Sequence, residues 1–138
     1  MSYNPYSLEG KTILVTGASS GIGKATAVEC SKLGAGVVIT GRDEKRLSDT
    51  FSLLQGDSHI QLVADLGKEE DLSLLVNRLP ALDGIAHIAG IVKTIPVTFL
   101  KKQDMQHLFD VNFFAPTLLT TGLLKQKKIR KPSSIVFI

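Results

Sequence analysis

Residue types and spacing that suit phosphate binding occur in the run Thr16-Gly-Ala-Ser-Ser-Gly-Ile-Gly23. An apolar, strand-like stretch precedes it, and a helix-like stretch begins at its end. Because a helix N-terminus has free backbone N–H groups and the positive end of the helix dipole, this arrangement forms an anion site. We predict a sharp turn at Gly17, a close approach to a pyrophosphate at Gly21, and close packing of the helix on the strand at Gly23.

The glycine spacing G-x-x-x-G-x-G, with the preceding Thr16, resembles the cofactor loop of the short-chain dehydrogenase/reductase family. It differs from the common fingerprint G-x-G-x-x-G. A P-loop would need Gly at Ala18 and Ser or Thr at Ala25, so it does not match. A glycine-rich turn without a ligand is the alternative. The resemblance implies that the cofactor-binding residues of the loop are Gly17, Ser19, Ser20, Gly21, Ile22 and Gly23.

The residue that follows the second predicted strand discriminates between the two nicotinamide dinucleotides. An acidic residue there binds the ribose 2′-hydroxyl of NAD, whereas a nearby Arg accommodates the 2′-phosphate of NADP. Here Gly41 occupies the acidic position and Arg42 follows it. By resemblance, Arg42 binds the 2′-phosphate through its planar donor fork, with a surface cation as the alternative. An acid close to the ribose would favour NAD, but Asp43 is predicted to be the N-cap of the next helix instead. We therefore predict NADP(H) as the cofactor.

Two further segments are similar to the family's cofactor motifs. The resemblance implies that Asp65 accepts a hydrogen bond from the adenine amino group, assisted by the backbone of Leu66; a turn or helix-cap Asp is the alternative. The family usually carries Asn-Asn-Ala-Gly after the fourth strand, where this chain has His87-Ile88-Ala89-Gly90. The resemblance implies that His87, Ala89 and Gly90 bind the cofactor, and Ala89 and Gly90 keep the backbone approach to it. The histidine could replace some hydrogen bonds of the first Asn, and a structural role is favoured over a catalytic one.

The resemblance assigns one residue of the catalytic machinery to this chain, Asn112. Asn is unfavourable inside a helix, yet Asn112 lies within the predicted helix Gln103–Gln126. The matching family Asn helps to hold a water in the proton relay below the active-site lysine; a tolerated polar residue is the alternative. The family's downstream serine and Tyr-x-x-x-Lys pair have no match, because neither Tyr3 nor Tyr6 has a Lys four residues on. We therefore expect the 138-residue chain alone to be inactive.

Short apolar runs alternate with longer amphipathic runs, which predicts a doubly wound α/β fold with a parallel sheet. The predicted strands are Thr12–Thr16, Gly36–Thr40, Ile60–Ala64, Gly84–Ile88 and Ser134–Ile138. The predicted helices are Ile22–Leu33, Asp43–Leu54, Lys68–Leu79 and Gln103–Gln126. The resemblance implies a Rossmann-like strand order 3-2-1-4-5. Pro132 is predicted to lie in a connecting segment. We expect residues 1–138 to be the N-terminal part of a single dinucleotide-binding domain, whose C-terminal catalytic part lies outside this chain.

Composition restricts the functional class further. At 138 residues and 43% hydrophobic, the chain can bury a core, and its net charge of +3 is too small to indicate a nucleic-acid partner. The basic cluster within residues 125–131 is interpreted as a solvated helix end. No apolar run reaches membrane-span length, and the three histidines lack metal-ligand spacing. The single cysteine allows no disulfide within the chain, which fits a cytoplasmic location.

The resemblance as a whole implies an NADP(H)-dependent oxidoreductase that reduces a carbonyl to an alcohol. The cofactor motifs of this chain look most like those of β-ketoacyl-carrier-protein reductases. The resemblance therefore implies a small-molecule or acyl-carrier carbonyl as the substrate. The intact protein is expected to be a homo-oligomer, a dimer or a tetramer. The alternative is a non-catalytic NADP(H)-binding sensor or interaction module. An extended-branch epimerase or dehydratase fits less well, because its loop is usually T-G-x-x-G-x-x-G.

Overall fold

Strands and helices alternate along residues 3–138, the part of the chain that the computed structural model describes. The strands are β1 (Thr12–Val15), β2 (Gly36–Gly41), β3 (Ile60–Val63), β4 (Leu82–His87) and β5 (Ile129–Phe137). The helices are α1 (Gly21–Lys32), α2 (Glu44–Ser52), α3 (Glu69–Arg78), α4 (Lys102–Phe109) and α5 (Ala115–Lys125). A short 3₁₀ turn spans Val97–Phe99, and a π-helical turn, Asp110–Phe114, joins α4 to α5.

All five strands form one parallel sheet in the order β3-β2-β1-β4-β5. This confirms the predicted fold class and strand order. The central strand β1 pairs with β2 on one side and with β4 on the other, so that Ile13 lies opposite both Val37 and Gly84. The connections after β1 and β4 leave the sheet in opposite directions, which opens a crevice at the carboxyl ends of these strands.

Apolar residues cover both faces of the sheet. Successive strand residues point to opposite faces, and Leu14 and Val15 accordingly belong to different core clusters. One cluster packs beneath α3 and α5 and includes Leu75 and Leu119, whereas the other packs beneath α1 and α2 and includes Leu47. Both faces are therefore buried, as a parallel sheet with continuous apolar strands requires.

The fifth strand begins at Ile129, five residues earlier than the predicted Ser134. The prediction that Pro132 lies in a connecting segment was therefore wrong, because Pro132 lies inside β5. A register irregularity explains how the strand accommodates it: Leu82 pairs with Ile129 and Gly84 with Ser134, so several residues of β5 oppose one residue of β4. Among the described residues β5 is an edge strand, where a residue without an N–H group is tolerated.

The predicted helix Gln103–Gln126 corresponds to α4, the π-helical turn and α5, which follow one another without a break. Asn112 lies in the π-helical turn, a kind of bulge that is frequent at functional sites. None of the helices within residues 3–138 combines the length and apolar character needed to cross a bilayer.

Two members of the basic cluster have partners in the fold: Lys128 is partly buried, so its interpretation as part of a solvated helix end was wrong, whereas Arg130 is exposed but lies on β5 rather than at a helix end. Lys128 Nζ donates to the carbonyl oxygens of Val76 (2.6 Å) and Asn77 (2.9 Å), near the C-terminus of α3. Arg130 Nη1 lies 2.9 Å from Asp83 Oδ2. A cation suits a helix C-terminus because the last carbonyls lack partners within the helix.

Candidate functional site

A cavity of about 520 Å³ lies over the carboxyl ends of the central strands. Its wall is formed by the turns that follow β1, β2, β3 and β4, which is where open α/β sheets bind their ligands. The predicted cofactor-binding residues that line it are Gly17, Ser19, Ser20, Gly21, Ile22, Gly23, Arg42, Asp65, Leu66, Ala89 and Gly90. Two other predicted site residues, His87 and Asn112, do not line it.

The glycine-rich loop after β1 has the backbone shape that its sequence predicts, with one difference. Gly17 and Gly21 have φ values of +63° and +55°, which non-glycine residues rarely adopt. A Cβ at Gly21 would meet no atom within 4 Å, so this backbone faces open cavity at the start of α1. A Cβ at Gly23 would collide with the carbonyl of Gly17. The close contact of Gly23 is thus with the loop rather than with the strand.

Thr16 joins the glycine-rich loop to the turn after β4. Its Oγ1 accepts hydrogen bonds from the backbone N–H groups of both Ile88 and Ala89, each at 3.0 Å. Its own N–H donates to the carbonyl of Ala86 at 3.1 Å, and its side chain is buried. Two opposite walls of the cavity are therefore fixed relative to each other. The sequence analysis treated Thr16 only as part of the glycine motif and missed this role.

Ser19 supplies a buried polar atom at the cavity wall near Gly41. Its Oγ has no hydrogen-bond partner within residues 3–138. It lies so close to Gly41 that a Cβ there would collide with it. Buried hydroxyl groups are normally paired, and an unpaired one indicates a missing partner. A ligand in the cavity would provide that partner.

Two arginines reach the same end of the cavity from the start of α2. Arg42 is exposed and lines the cavity, as does Arg46, which the sequence analysis missed. Asp43 accepts a hydrogen bond from the Arg46 N–H at 3.0 Å, which confirms that Asp43 is the N-cap of α2. The sequence feature that could have identified Arg46 is its position three residues after this cap, in the helix turn nearest the carboxyl edge of the sheet. Asp43 also lines this end of the cavity, and its Oδ2 lies 3.8 Å from Arg46 Nε, so two cations there face one carboxylate.

Asp65 and Leu66 form the wall that follows β3. Asp65 Oδ1 accepts from the N–H of Gly67 at 2.9 Å, and its own N–H donates to Asp71 Oδ2 at 2.7 Å. Asp65 therefore makes the turn contact that was considered as the alternative to adenine binding. The turn contact and the cavity position coexist, because the carboxylate is only partly buried.

Asn112 holds the segment that follows Gly90. Its Oδ1 accepts from the N–H of Ile91 at 2.8 Å, and its Nδ2 donates to the carbonyl of Ile91 at 2.9 Å. Both ends of the amide are thus used on one backbone residue. The π-helical turn presents Asn112 to this segment, and the neighbouring Val111 lines the cavity. The role of Asn112 in a proton relay stays a prediction.

His87 is directed towards α5 and β5 rather than into the cavity. Its Nε2 lies 2.8 Å from Thr120 Oγ1, and its ring stacks on that of Phe137 with centroids 4.7 Å apart. The side chain is buried, and burial lowers the pKa of His87 to about 4. The structure therefore does not place His87 among the residues that line the cavity, where it was predicted to bind the cofactor.

These features have counterparts in known proteins. The family model described as short chain dehydrogenase matches residues 11–138. This chain belongs to the short-chain dehydrogenase family. It is 33% identical over 131 residues to the 3-oxoacyl-(acyl-carrier-protein) reductase FabG of Rickettsia felis. It is 37% identical over 124 residues to the reductase of the same name from Rickettsia prowazekii.

The alignments cover 95% and 90% of this chain, but 54% and 51% of the two reductases. The chain thus spans about half the length of the curated relatives it matches. Among solved structures, a short-chain dehydrogenase from Escherichia coli CFT073 complexed with NADPH superposes with a TM-score of 0.85 at 32% identity. That superposition covers 98% of this short-chain dehydrogenase and 60% of the other.

Proposed function

We propose that this short-chain dehydrogenase binds NADP(H) and belongs to an enzyme that reduces a carbonyl to an alcohol. The observation that carries the cofactor proposal is the cavity end at Gly41. Gly41 occupies the position whose acidic side chain reads the 2′-hydroxyl of NAD, and this end contains two arginines, one carboxylate (Asp43) and an unpaired hydroxyl. The E. coli relative, whose structure is a complex with NADPH, supports the same choice.

The residues of the cavity fit a dinucleotide in two ways. The open backbone of Gly21 at the N-terminus of α1 offers N–H groups and a positive dipole to a pyrophosphate. The unpaired Ser19 Oγ, together with Arg42 and Arg46, fits an additional phosphate on the adenosine ribose. Asp65 and Leu66 then form the wall beside the adenine. The cofactor supplies the hydride, and these residues bind and orient it.

For the substrate, we propose a carbonyl carried by an acyl carrier protein or by a small molecule. Support comes from the two Rickettsia relatives, which are named 3-oxoacyl-(acyl-carrier-protein) reductases. We propose further that the intact enzyme is a homo-oligomer, as the resemblance implies. In this proposal Asn112 maintains the backbone beside the reaction site through its paired bonds to Ile91.

A non-catalytic NADP(H)-binding module is the second candidate. One observation favours it: His87 and Ile88 stand where the family usually carries an Asn pair, and the His87 side chain does not line the cavity. The cavity and its cofactor contacts are the same in both proposals. The two differ in whether the protein turns over a carbonyl substrate.

Titration with NADPH and NADH, followed by nicotinamide fluorescence, tests the cofactor proposal. A charge-assisted contact contributes about 1.5–3 kcal/mol, so we expect NADPH to bind about 10- to 150-fold more tightly than NADH. Equal affinities would refute the proposed specificity. Oxidation of NADPH by a 3-oxoacyl thioester of acyl carrier protein, measured on the intact protein because residues 1–138 alone are expected to be inactive, then separates the candidates: turnover supports the reductase, and binding without turnover supports the module.

A further inference from the structure

His87 lies at the junction of three elements that meet next to the cofactor cavity. It is the last residue of β4, and the next residues, Ile88 and Ala89, line the cavity wall. Its ring contacts Thr120 on α5 and Phe137 on β5. Its carbonyl accepts from the N–H of Ile138 at 3.1 Å. The end of β4 is thus tied to α5 and β5 through one side chain.

The hydrogen-bond pattern determines which ring nitrogen of His87 carries the proton. Thr120 Oγ1 lies 2.8 Å from His87 Nε2 and 2.8 Å from the carbonyl oxygen of Pro116. A hydroxyl has one proton to donate, and a carbonyl oxygen can only accept. Both contacts are hydrogen bonds only if Thr120 donates to Pro116 and His87 Nε2–H donates to Thr120. The neutral ring is then protonated on Nε2.

We propose that His87, as the neutral Nε2–H tautomer, is a positioning residue that holds the Ile88–Gly90 turn in its cofactor-binding place by anchoring β4 to α5. The turn is fixed on its other side by Thr16 Oγ1, which accepts from the N–H groups of Ile88 and Ala89. The turn is therefore held between the glycine-rich loop and α5. This inference rests on the proposed cofactor binding for its functional consequence, but not for its structural part.

Charged groups do not impose this state on His87. The titratable residues on β4, α5 and β5 besides His87 are Asp83, Lys125, Arg130 and Lys131, and β1 has none. Burial alone lowers the pKa of His87, with no contribution from these charges. The ring is accordingly uncharged at neutral pH, and its one N–H is available to Thr120.

Thr120→Val tests the anchor, because it removes the acceptor of the Nε2–H and keeps the side-chain volume. Thr121→Val is the matched control: Thr121 makes the same kind of bond, to the Thr117 carbonyl at 2.9 Å, but does not contact His87. Loss of one hydrogen bond corresponds to a decrease of about 3- to 10-fold in binding affinity. We expect NADPH affinity to fall by that factor in Thr120→Val, to be unchanged in Thr121→Val and to recover in Thr120→Ser.

Amide hydrogen exchange gives a readout that does not depend on the cofactor. We expect faster exchange at Ile88 and Ala89 in Thr120→Val and unchanged exchange in β2. Unchanged exchange at Ile88 and Ala89, or a uniform increase that includes β2, would overturn the positioning role. If the unaltered protein binds no NADPH, the proposed function fails, whereas the exchange result still supports or overturns the anchor.

Nitrogen NMR of the His87 ring in the unaltered protein completes the test. It tests the proposed protonation of His87 even if Thr120→Val does not fold. We expect a proton on Nε2 and none on Nδ1 at neutral pH. A ring protonated on Nδ1, or on both nitrogens, would overturn the proposal. A slowly exchanging Nε2–H signal that is lost in Thr120→Val and retained in Thr121→Val would support it.

Discussion

The close approach of Gly17 to the turn after β4 predicts that a side chain at residue 17 destabilises the fold. A Cβ on Gly17 would lie 2.7 Å from Ala89 Cα and 2.8 Å from Ala89 N, distances that real Cβ atoms essentially never show. Gly17→Ala must therefore displace the loop or the turn after β4. Neither can move easily, because Thr16 Oγ1 bonds to the N–H groups of Ile88 and Ala89.

The expected loss in the free energy of unfolding has two parts, and a control variant separates them. A non-glycine residue with positive φ costs about 1–2 kcal/mol, and overpacking a close contact costs about 1–3 kcal/mol more. We therefore expect Gly17→Ala to lower the free energy of unfolding by about 2–5 kcal/mol. Gly10 is the matched control: its φ is +74°, but a Cβ there would meet no atom within 4 Å. Gly10→Ala should lose only the contribution from the positive φ value.

Urea denaturation of the unaltered protein and the two variants measures both losses. We expect Gly17→Ala to be less stable than Gly10→Ala by at least about 1 kcal/mol. Equal losses would refute the argument that the loop and the β4 turn are in backbone contact. A third variant, Gly21→Ala, also has positive φ and open space around it. It should match Gly10→Ala in stability, yet lose NADPH affinity, because the added methyl group would occupy the proposed phosphate position.

Three other changes have defined outcomes. Arg42→Gln should weaken NADPH binding about 10-fold or more and leave NADH binding unchanged in fluorescence titrations. Thr16→Val should lower the free energy of unfolding in urea by about 2–4 kcal/mol, because two backbone N–H groups lose their acceptor. The third is a pH effect: the pKa of His87 is about 4 in the folded protein and 6.5 ordinarily. The unfolded chain therefore binds the proton first, and stability should fall by about 2–3 kcal/mol between pH 6.5 and 4, an effect absent from His87→Asn.

The features that local sequence determines were predictable. The glycine-rich loop, the Asp43 cap and the alternation of strands with helices each depend on neighbouring residues, and the structure confirms the cap and the alternation. The start of β5 was not predictable in this way. Residues 129–134 include Pro132 and four polar residues, so they lack an apolar strand pattern. Pairing of Ile129 with Leu82 makes them part of the strand, and that pairing depends on tertiary contact.

The hydrogen-bond partners of Thr16 and His87 were missed for one physical reason: they lie far away in the chain. Thr16 bonds to residues more than 70 positions later, and His87 bonds to Thr120, 33 positions later. No spacing rule connects such pairs, because the sheet order and the helix packing bring them together. In the proposed tautomer, the His87 ring reaches a hydroxyl on α5 whose own proton is already used by the Pro116 carbonyl, so the ring must donate in this contact. An Asn amide could also donate, so the feature particular to histidine is the reach of its longer side chain.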